Sequence, residues 1–201
     1  MIAKIWKEFR TLPNLLTLSR ILLVPVFLWM MLEEKPVEAF LVFLLAGLTD
    51  VLDGLAARLR HQRSRLGLWL DPAADKILLT AAFVLLGLPG LSKPNAIPFR
   101  IVLIVIGRDV LIAIAALLLM RLKGQKAFYP TLMGKVSTVS QISTVLVVLI
   151  LNSLGRTSSI LSWFYDATLA ATIFSGVQYA TKAFHVVVPP EKTEGIPKNE
   201  L

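Results

Sequence analysis

Cysteine is absent from this 201-residue chain, and histidine occurs only twice, at His61 and His185. The first absence removes disulfides, thiolate nucleophiles and cysteine-ligated zinc or iron–sulfur centres together. Two histidines cannot build a multi-histidine metal site, so any ion must be a hard one held by oxygen. Charge is also scarce, at 17% of residues, where an ordinary soluble domain carries about one quarter. No internal repeat or low-complexity stretch is visible. Water-soluble globular, disordered, collagen-like and coiled-coil readings are excluded.

What is present is apolar sequence: 56% of residues are hydrophobic and the mean hydropathy is +0.72. It is gathered into runs of about 20 residues, the length that crosses a bilayer core as a helix. Six such runs predict six transmembrane helices, at about Leu15–Leu32, Val37–Ala57, Leu68–Leu88, Ile97–Met120, Val136–Leu154 and Ile160–Ala180. The breaks between them hold Pro, Gly and charge, as in Glu33-Glu34-Lys35-Pro36 and Pro89-Gly90-Leu91-Ser92-Lys93-Pro94. The expected fold class is therefore an all-α membrane protein. Residues 12–186 form its six-helix domain. Ahead of it, Ile2, Ile5, Trp6 and Phe9 recur at helical spacing among charges, so residues 1–11 read as an amphipathic interfacial helix rather than a cleavable signal. Residues 187–201 read as a polar tail.

Lys and Arg set the expected orientation. Fourteen fall on the side of the two termini and the Arg58–Leu66 and Arg121–Lys135 loops, against four on the other side. The positive-inside rule puts the richer side in the cytoplasm. All four tryptophans, at positions 6, 29, 69 and 163, fall near predicted interfaces. The net charge of +8 reads as attraction to anionic lipid headgroups; no nucleic-acid partner is expected, since nothing resembles a base-reading module. The lack of a transit peptide points to a prokaryotic inner membrane.

Ionisable residues inside or beside the spans carry most of the information, because each costs a few kcal/mol at a bilayer centre and so marks a cavity or a partner. They are Arg20, Asp50, Asp53, Asp71, Asp75, Lys76, Arg108 and Asp109. Asp50 and Asp53 are spaced i, i+3, and Asp71 and Asp75 i, i+4, so each pair shares one helix face. The second and third helices, joined by a loop of about ten residues, are expected to be antiparallel neighbours whose acidic faces converge. Four carboxylates in a low-dielectric cleft must be partly protonated or neutralised by a multivalent cation. An all-oxygen set suits Mg²⁺ or Mn²⁺. Gly54, Ala57 and Gly67 leave room for a bulky ligand beside them, and Arg58 can pair with a diphosphate.

In order, these residues read Asp50-x2-Asp53-Gly54-x2-Ala57-Arg58-x8-Gly67-x3-Asp71-x3-Asp75. The segment resembles the CDP-alcohol phosphotransferase signature at all eight fixed positions over a 26-residue window. Leu12-Pro13-Asn14 through Arg20 is similar to that family's opening segment. Gly107-Arg108-Asp109 and Gly134-Lys135 through Gln141 are similar to its phosphatidylglycerophosphate synthase and eukaryotic-type cardiolipin synthase branches. The resemblance implies a homodimer of six-helix subunits with a polar cavity at the cytoplasmic boundary, which transfers a phosphatidyl group from a CDP-alcohol to a hydroxyl and releases CMP. By position it implies that Asp50, Asp53, Asp71 and Asp75 surround the metal, with Asp75 as general base. Gly54, Ala57, Arg58 and Gly67 would form the CDP-binding part.

Arg108 and Lys135 are candidates for a phosphate on the acceptor, one by a fork and the other as a point charge. Arg108 can equally neutralise Asp109 as a structural pair, and Lys135 can be a positive-inside anchor. Arg20 can brace the carboxylates or touch substrate. Lys76 points away from Asp75 and is left out of the site. Gly47 and Gly176 read as helix-packing contacts. The expected reaction joins CDP-diacylglycerol to glycerol 3-phosphate; the alternative acceptor is phosphatidylglycerol, with an inositol phosphate third. A transporter is the rival from another class, disfavoured because the acids cluster at one depth instead of lining a route. A non-catalytic scaffold has no use for four converging acids.

Overall fold

The computed structural model describes residues 12–60, 67–123 and 131–187. Among them there are six α-helices and no strand: α1 Leu12–Leu32, α2 Pro36–Arg60, α3 Gly67–Leu86, α4 Phe99–Lys123, α5 Leu132–Ser153 and α6 Ile160–Val187. Number and order match the apolar runs. The proposed amphipathic helix at 1–11, the loop at 61–66 and the tail from 188 lie outside the described residues.

Several helices outrun their apolar windows because caps and prolines, not hydropathy, end them. Pro36 opens α2, where its missing N–H is harmless, after a tight turn in which Lys35 N–H donates to the Met30 carbonyl at 2.9 Å. α4 begins at Phe99, just after Pro98, and not at Ile97. α5 begins four residues before its window because Thr131 caps it, its Oγ1 accepting from Gly134 N–H at 3.0 Å.

Among the described residues, length and composition alone qualify two helices to cross a membrane: Leu132–Ser153 and Ile160–Lys182, with mean hydropathies of 1.7 and 1.3. α1 holds a shorter apolar stretch, Leu18–Leu32. Many large apolar side chains face outward, among them Leu22, Trp29, Leu111, Trp163 and Phe174. Such a surface is costly in water and ordinary against lipid tails.

Packing corrects the expected arrangement of the acidic helices. α1, rather than α3, is the partner of α2: α1 packs along both, and no Cα of α2 comes within 8 Å of α3 among the described residues. Two faces that both carry carboxylates repel, and a helix bearing a cation between them relieves this. α5 backs both α2 and α3, α6 packs on α5, and α4 lies mainly against α6. The core where these meet contains Phe27 and Phe43, with centroids 5.9 Å apart, and Phe83, Leu86, Ile101 and Leu149.

Two buried polar groupings tie the bundle together. Between α5 and α6, Thr144 Oγ1 lies 2.8 Å from Thr168 Oγ1, and Ser137 Oγ lies 3.2 Å from Thr172 Oγ1. Small hydroxyl residues let two helices approach closely and bond across their interface. At the end of the bundle remote from the acids, Asn152 Oδ1 accepts from both N–H and Nδ2 of Asn95 at 2.9 Å, and Asn95 Nδ2 also donates to the Arg156 carbonyl at 2.7 Å. The connection between α3 and α4 is thereby fastened onto the end of α5. The glycine expectation divides: a Cβ at Gly47 would meet nothing within 4 Å and so faces open space, whereas one at Gly176 would touch Arg108 Cγ of α4 at 3.7 Å.

Candidate active site

The acids expected to share one spot are joined by a cation from α1. Arg20, 1% exposed, places Nη2 2.9 Å from Asp50 Oδ1 on α2 and Nη1 2.6 Å from Asp75 Oδ1 on α3. Of the roles open to Arg20 in the sequence, bracing the carboxylates is the one its geometry displays. The planar fork suits this: one guanidinium engages two acids through separate nitrogens, which an ammonium on a flexible stem cannot do with fixed geometry. Asp50 and Asp75 are 46% and 47% exposed on their side chains, so each is held by Arg20 while nearly half of its surface stays accessible.

The backbone sets Asp53 one turn beyond Asp50 in α2, and Asp71 one turn before Asp75 in α3. The side chains of Asp53, Gly54, Ala57, Arg58, Gly67 and Asp71 lie outside the described set. Among the described residues no three acid or histidine side chains form a group able to hold an ion. The donors that are described, carboxylates converging from two helices, fit a hard divalent cation such as Mg²⁺ or Mn²⁺.

Next to the acids opens a cleft of about 1100 Å³. Asp50 and Lys76 line it on one side, and Arg108, Asp109, Gly134, Lys135 and Tyr179 on the others. It exists because α4 stays on α6 and barely touches α3. A smaller recess of about 110 Å³, lined by Arg20, Asp50, Asp75 and Lys76, adjoins it. Both candidate acceptor residues therefore share one cavity with Asp50.

A second charged cluster crosses this cleft. Asp109 accepts from Lys76 Nζ at 2.7 Å through Oδ2 and from Arg108 Nη1 at 2.7 Å through Oδ1. Arg108 also donates to Ser175 Oγ through Nη2, and its Cζ lies 5.6 Å from the centroid of the Tyr179 ring. The Arg108–Asp109 structural pair is thus real, and it is wider than the sequence suggested, because Lys76 belongs to it. Lys76 was excluded only for pointing away from Asp75, yet an isolated lysine inside a span demands an acid, and Asp109 was the unclaimed one. Ser175 and Tyr179 gave no such signal; a hydroxyl and a ring in an apolar helix look like filler until a charge is found beside them. Lys135 is exposed and forms no ion pair among the described residues.

Comparison with known proteins agrees with this geometry. Residues 10–178 match the family model described as CDP-alcohol phosphatidyltransferase. The human protein named cardiolipin synthase (CMP-forming) is 35% identical over 88% of this chain and 64% of its own length. CDP-diacylglycerol–glycerol-3-phosphate 3-phosphatidyltransferase of Aquifex aeolicus is 33% identical over 87% of this chain and 97% of its own. A putative cardiolipin synthase of Mycobacterium bovis is 37% identical over 64% of the chain and 59% of its own length. The chain spans slightly under two thirds of the human and rat relatives it matches. With Asp50 and Asp75 of its signature joined by Arg20 and the family match running from residue 10 to residue 178, this chain belongs to the CDP-alcohol phosphatidyltransferase family.

Proposed function

We propose that this protein moves a phosphatidyl group from CDP-diacylglycerol to glycerol 3-phosphate and releases CMP. The observation that carries the reading is the shared cleft: Asp50 on one wall, Arg108 and Lys135 on others, in a single cavity of about 1100 Å³. A donor diphosphate held near the acids then lies beside a cationic pocket for a phosphate on the acceptor. The relative covered over 97% of its length carries the name of that reaction.

The residues divide the work as follows. Gly54, Ala57, Arg58 and Gly67 receive the CDP moiety. Asp50, Asp53, Asp71 and Asp75 hold Mg²⁺ or Mn²⁺, which when bound offsets the charge of the diphosphate oxygens. Asp75 takes the proton from the acceptor hydroxyl as its oxygen attacks the phosphatidyl phosphorus. The bond from that phosphorus to the CMP phosphate oxygen breaks, and CMP leaves. Arg20 keeps Asp50 and Asp75 in fixed relation throughout, so the base does not have to be reoriented between turnovers. Arg108 and Lys135 hold the acceptor phosphate.

In this reading all six helices span the bilayer. α2, α3 and α4 carry charges that lower their apparent hydropathy, and Asp50, Lys76, Arg108 and Asp109 among them line the cleft. The subunits pair as homodimers in a prokaryotic inner membrane, with both termini and the cleft on the cytoplasmic side.

A second acceptor, phosphatidylglycerol, is favoured by the name of the human relative. The test supplies purified protein in detergent with CDP-diacylglycerol, Mg²⁺ or Mn²⁺, and each acceptor in turn. CMP and lipid product formed with glycerol 3-phosphate support the first reading. Product with phosphatidylglycerol alone selects the second, and no metal-dependent CMP release with any alcohol removes both.

A further inference from the structure

On its far side the Arg108 guanidinium borders a second cavity. This groove, of about 570 Å³, runs between α4 and α6. Leu111, Ile173 and Val177 line it and are exposed on the outside of the bundle. Gly107 deepens it, since a Cβ there would meet nothing within 4 Å. The groove is thus almost wholly apolar and open to lipid, whereas the cleft mixes apolar walls with the charges of Asp50, Lys76, Asp109 and Lys135. Three residues line both: Arg108, Ile112 and Tyr179. They form the partition between a space suited to a soluble phosphate ester and one suited to an acyl chain.

Tyr179 is the braced member of this wall. It is buried, with its ring against Arg108, and its hydroxyl accepts from Thr131 N–H at 3.2 Å. Gly134 lies directly beside it: a Cβ there would stand 3.1 Å from the Tyr179 hydroxyl and 3.2 Å from Cε2. Thr131 is the N-cap of α5, and Lys135 sits in the first turn of that helix. One side chain therefore connects the Arg108 guanidinium to the helix start that carries Lys135. An aromatic ring has few torsions, and with its polar tip tied down it holds a fixed spacing.

We propose that Tyr179 is a positioning and specificity-determining residue of the acceptor site. It fixes Arg108 relative to the first turn of α5 and closes the cleft against the lipid-facing groove, so that an acceptor of headgroup size is preferred over one bearing acyl chains. The proposal rests on the reading of glycerol 3-phosphate as acceptor. The test is steady-state kinetics of the full chain in detergent for wild type, Tyr179→Leu, Tyr179→Phe and Gly134→Ala, varying CDP-diacylglycerol, glycerol 3-phosphate and phosphatidylglycerol separately.

Tyr179→Leu is expected to raise KM for glycerol 3-phosphate about tenfold while kcat and KM for CDP-diacylglycerol move less than about twofold. The turnover ratio of phosphatidylglycerol to glycerol 3-phosphate rises by a similar factor. Tyr179→Phe keeps the ring on Arg108 and restores most of the wild-type KM. Gly134→Ala displaces the ring and shifts KM in the same direction by a smaller factor, which keeps the test intact if the leucine variant does not fold. An unchanged KM for glycerol 3-phosphate in whichever of Tyr179→Leu and Gly134→Ala folds overturns the proposal, as does a uniform loss across all three substrates. Wild-type protein that uses phosphatidylglycerol and not glycerol 3-phosphate overturns the acceptor reading itself, before any variant is compared.

Discussion

Replacing Arg20 by methionine keeps an unbranched apolar stem and removes the guanidinium with its charge. Two charge-assisted hydrogen bonds are lost, at 2.9 Å to Asp50 and 2.6 Å to Asp75. Bonds to charged groups are worth about 1.5–3 kcal/mol each when shielded from water. Both acids are nearly half exposed, so solvent screening takes about half of that. The expected loss is about 1.5–3 kcal/mol, or on the order of 3–12 °C in melting temperature for a chain of this size. The sign of the metal response separates this mechanism from simple core damage. Without Arg20 the repulsion between Asp50 and Asp75 grows, and a divalent cation contributes a larger share of their neutralisation. Added Mg²⁺ or Mn²⁺ therefore raises the melting temperature of Arg20→Met more than that of wild type, since a ligand bound only to the folded state stabilises it by mass action. The assay is thermal unfolding in detergent, in chelator and in saturating metal, followed by tryptophan fluorescence. A variant that melts with wild type in chelator, or that gains no more from metal than wild type does, refutes the reasoning.

Asp71→Asn is expected to abolish metal-dependent CMP release with little loss of folded protein, because removing one of several repelling acids need not destabilise the apo cleft; near-normal turnover in a well-folded variant counts against the metal assignment. Lys135→Gln is expected to raise KM for glycerol 3-phosphate about tenfold, the worth of one charge-assisted contact, with KM for CDP-diacylglycerol unchanged in the same titrations. Asn152→Ala strands Asn95 N–H, takes one of the two acceptors of Asn95 Nδ2 and removes the donor to Ser92 Oγ and the Asn95 carbonyl; thermal melts are expected to show about 2–4 kcal/mol of destabilisation, with turnover per folded molecule retained.

The fold was legible where apolar length decides it. Six runs gave six helices, because a polar break of a few residues is enough to end a helix in a chain otherwise made of leucine, isoleucine and valine. Helix ends were less legible: Thr131 lies outside the apolar run it caps, so hydropathy missed the start of α5. The carboxylate spacing was readable from i, i+3 and i, i+4 alone; the structure brings Asp50 and Asp75 together on the Arg20 guanidinium, a partner the spacing did not name. The neighbour relation was misjudged. A short connection suggested that α2 and α3 pack on each other, whereas charge repulsion and the position of Arg20 put α1 against both. Lys76 was misjudged because its surroundings were inferred from the adjacent residue, when in a helix the relevant partner lay on another element. Tyr179 could not be found from sequence, since its role depends on what lies across a cavity and on the absence of a side chain at Gly134.

The place of α1 beside both acidic helices bears on how such a protein can be made. With α1, α2 and α3 spanning the bilayer as proposed above, synthesis from residue 20 to residue 50 to residue 75 brings the guanidinium into the membrane before the first aspartate and then the second. Each acid enters apolar surroundings that contain its counter-charge, which lowers the penalty that an unaccompanied carboxylate would meet. The order of the segments along the chain thus supplies a built-in escort for the most hydrophilic part of the molecule.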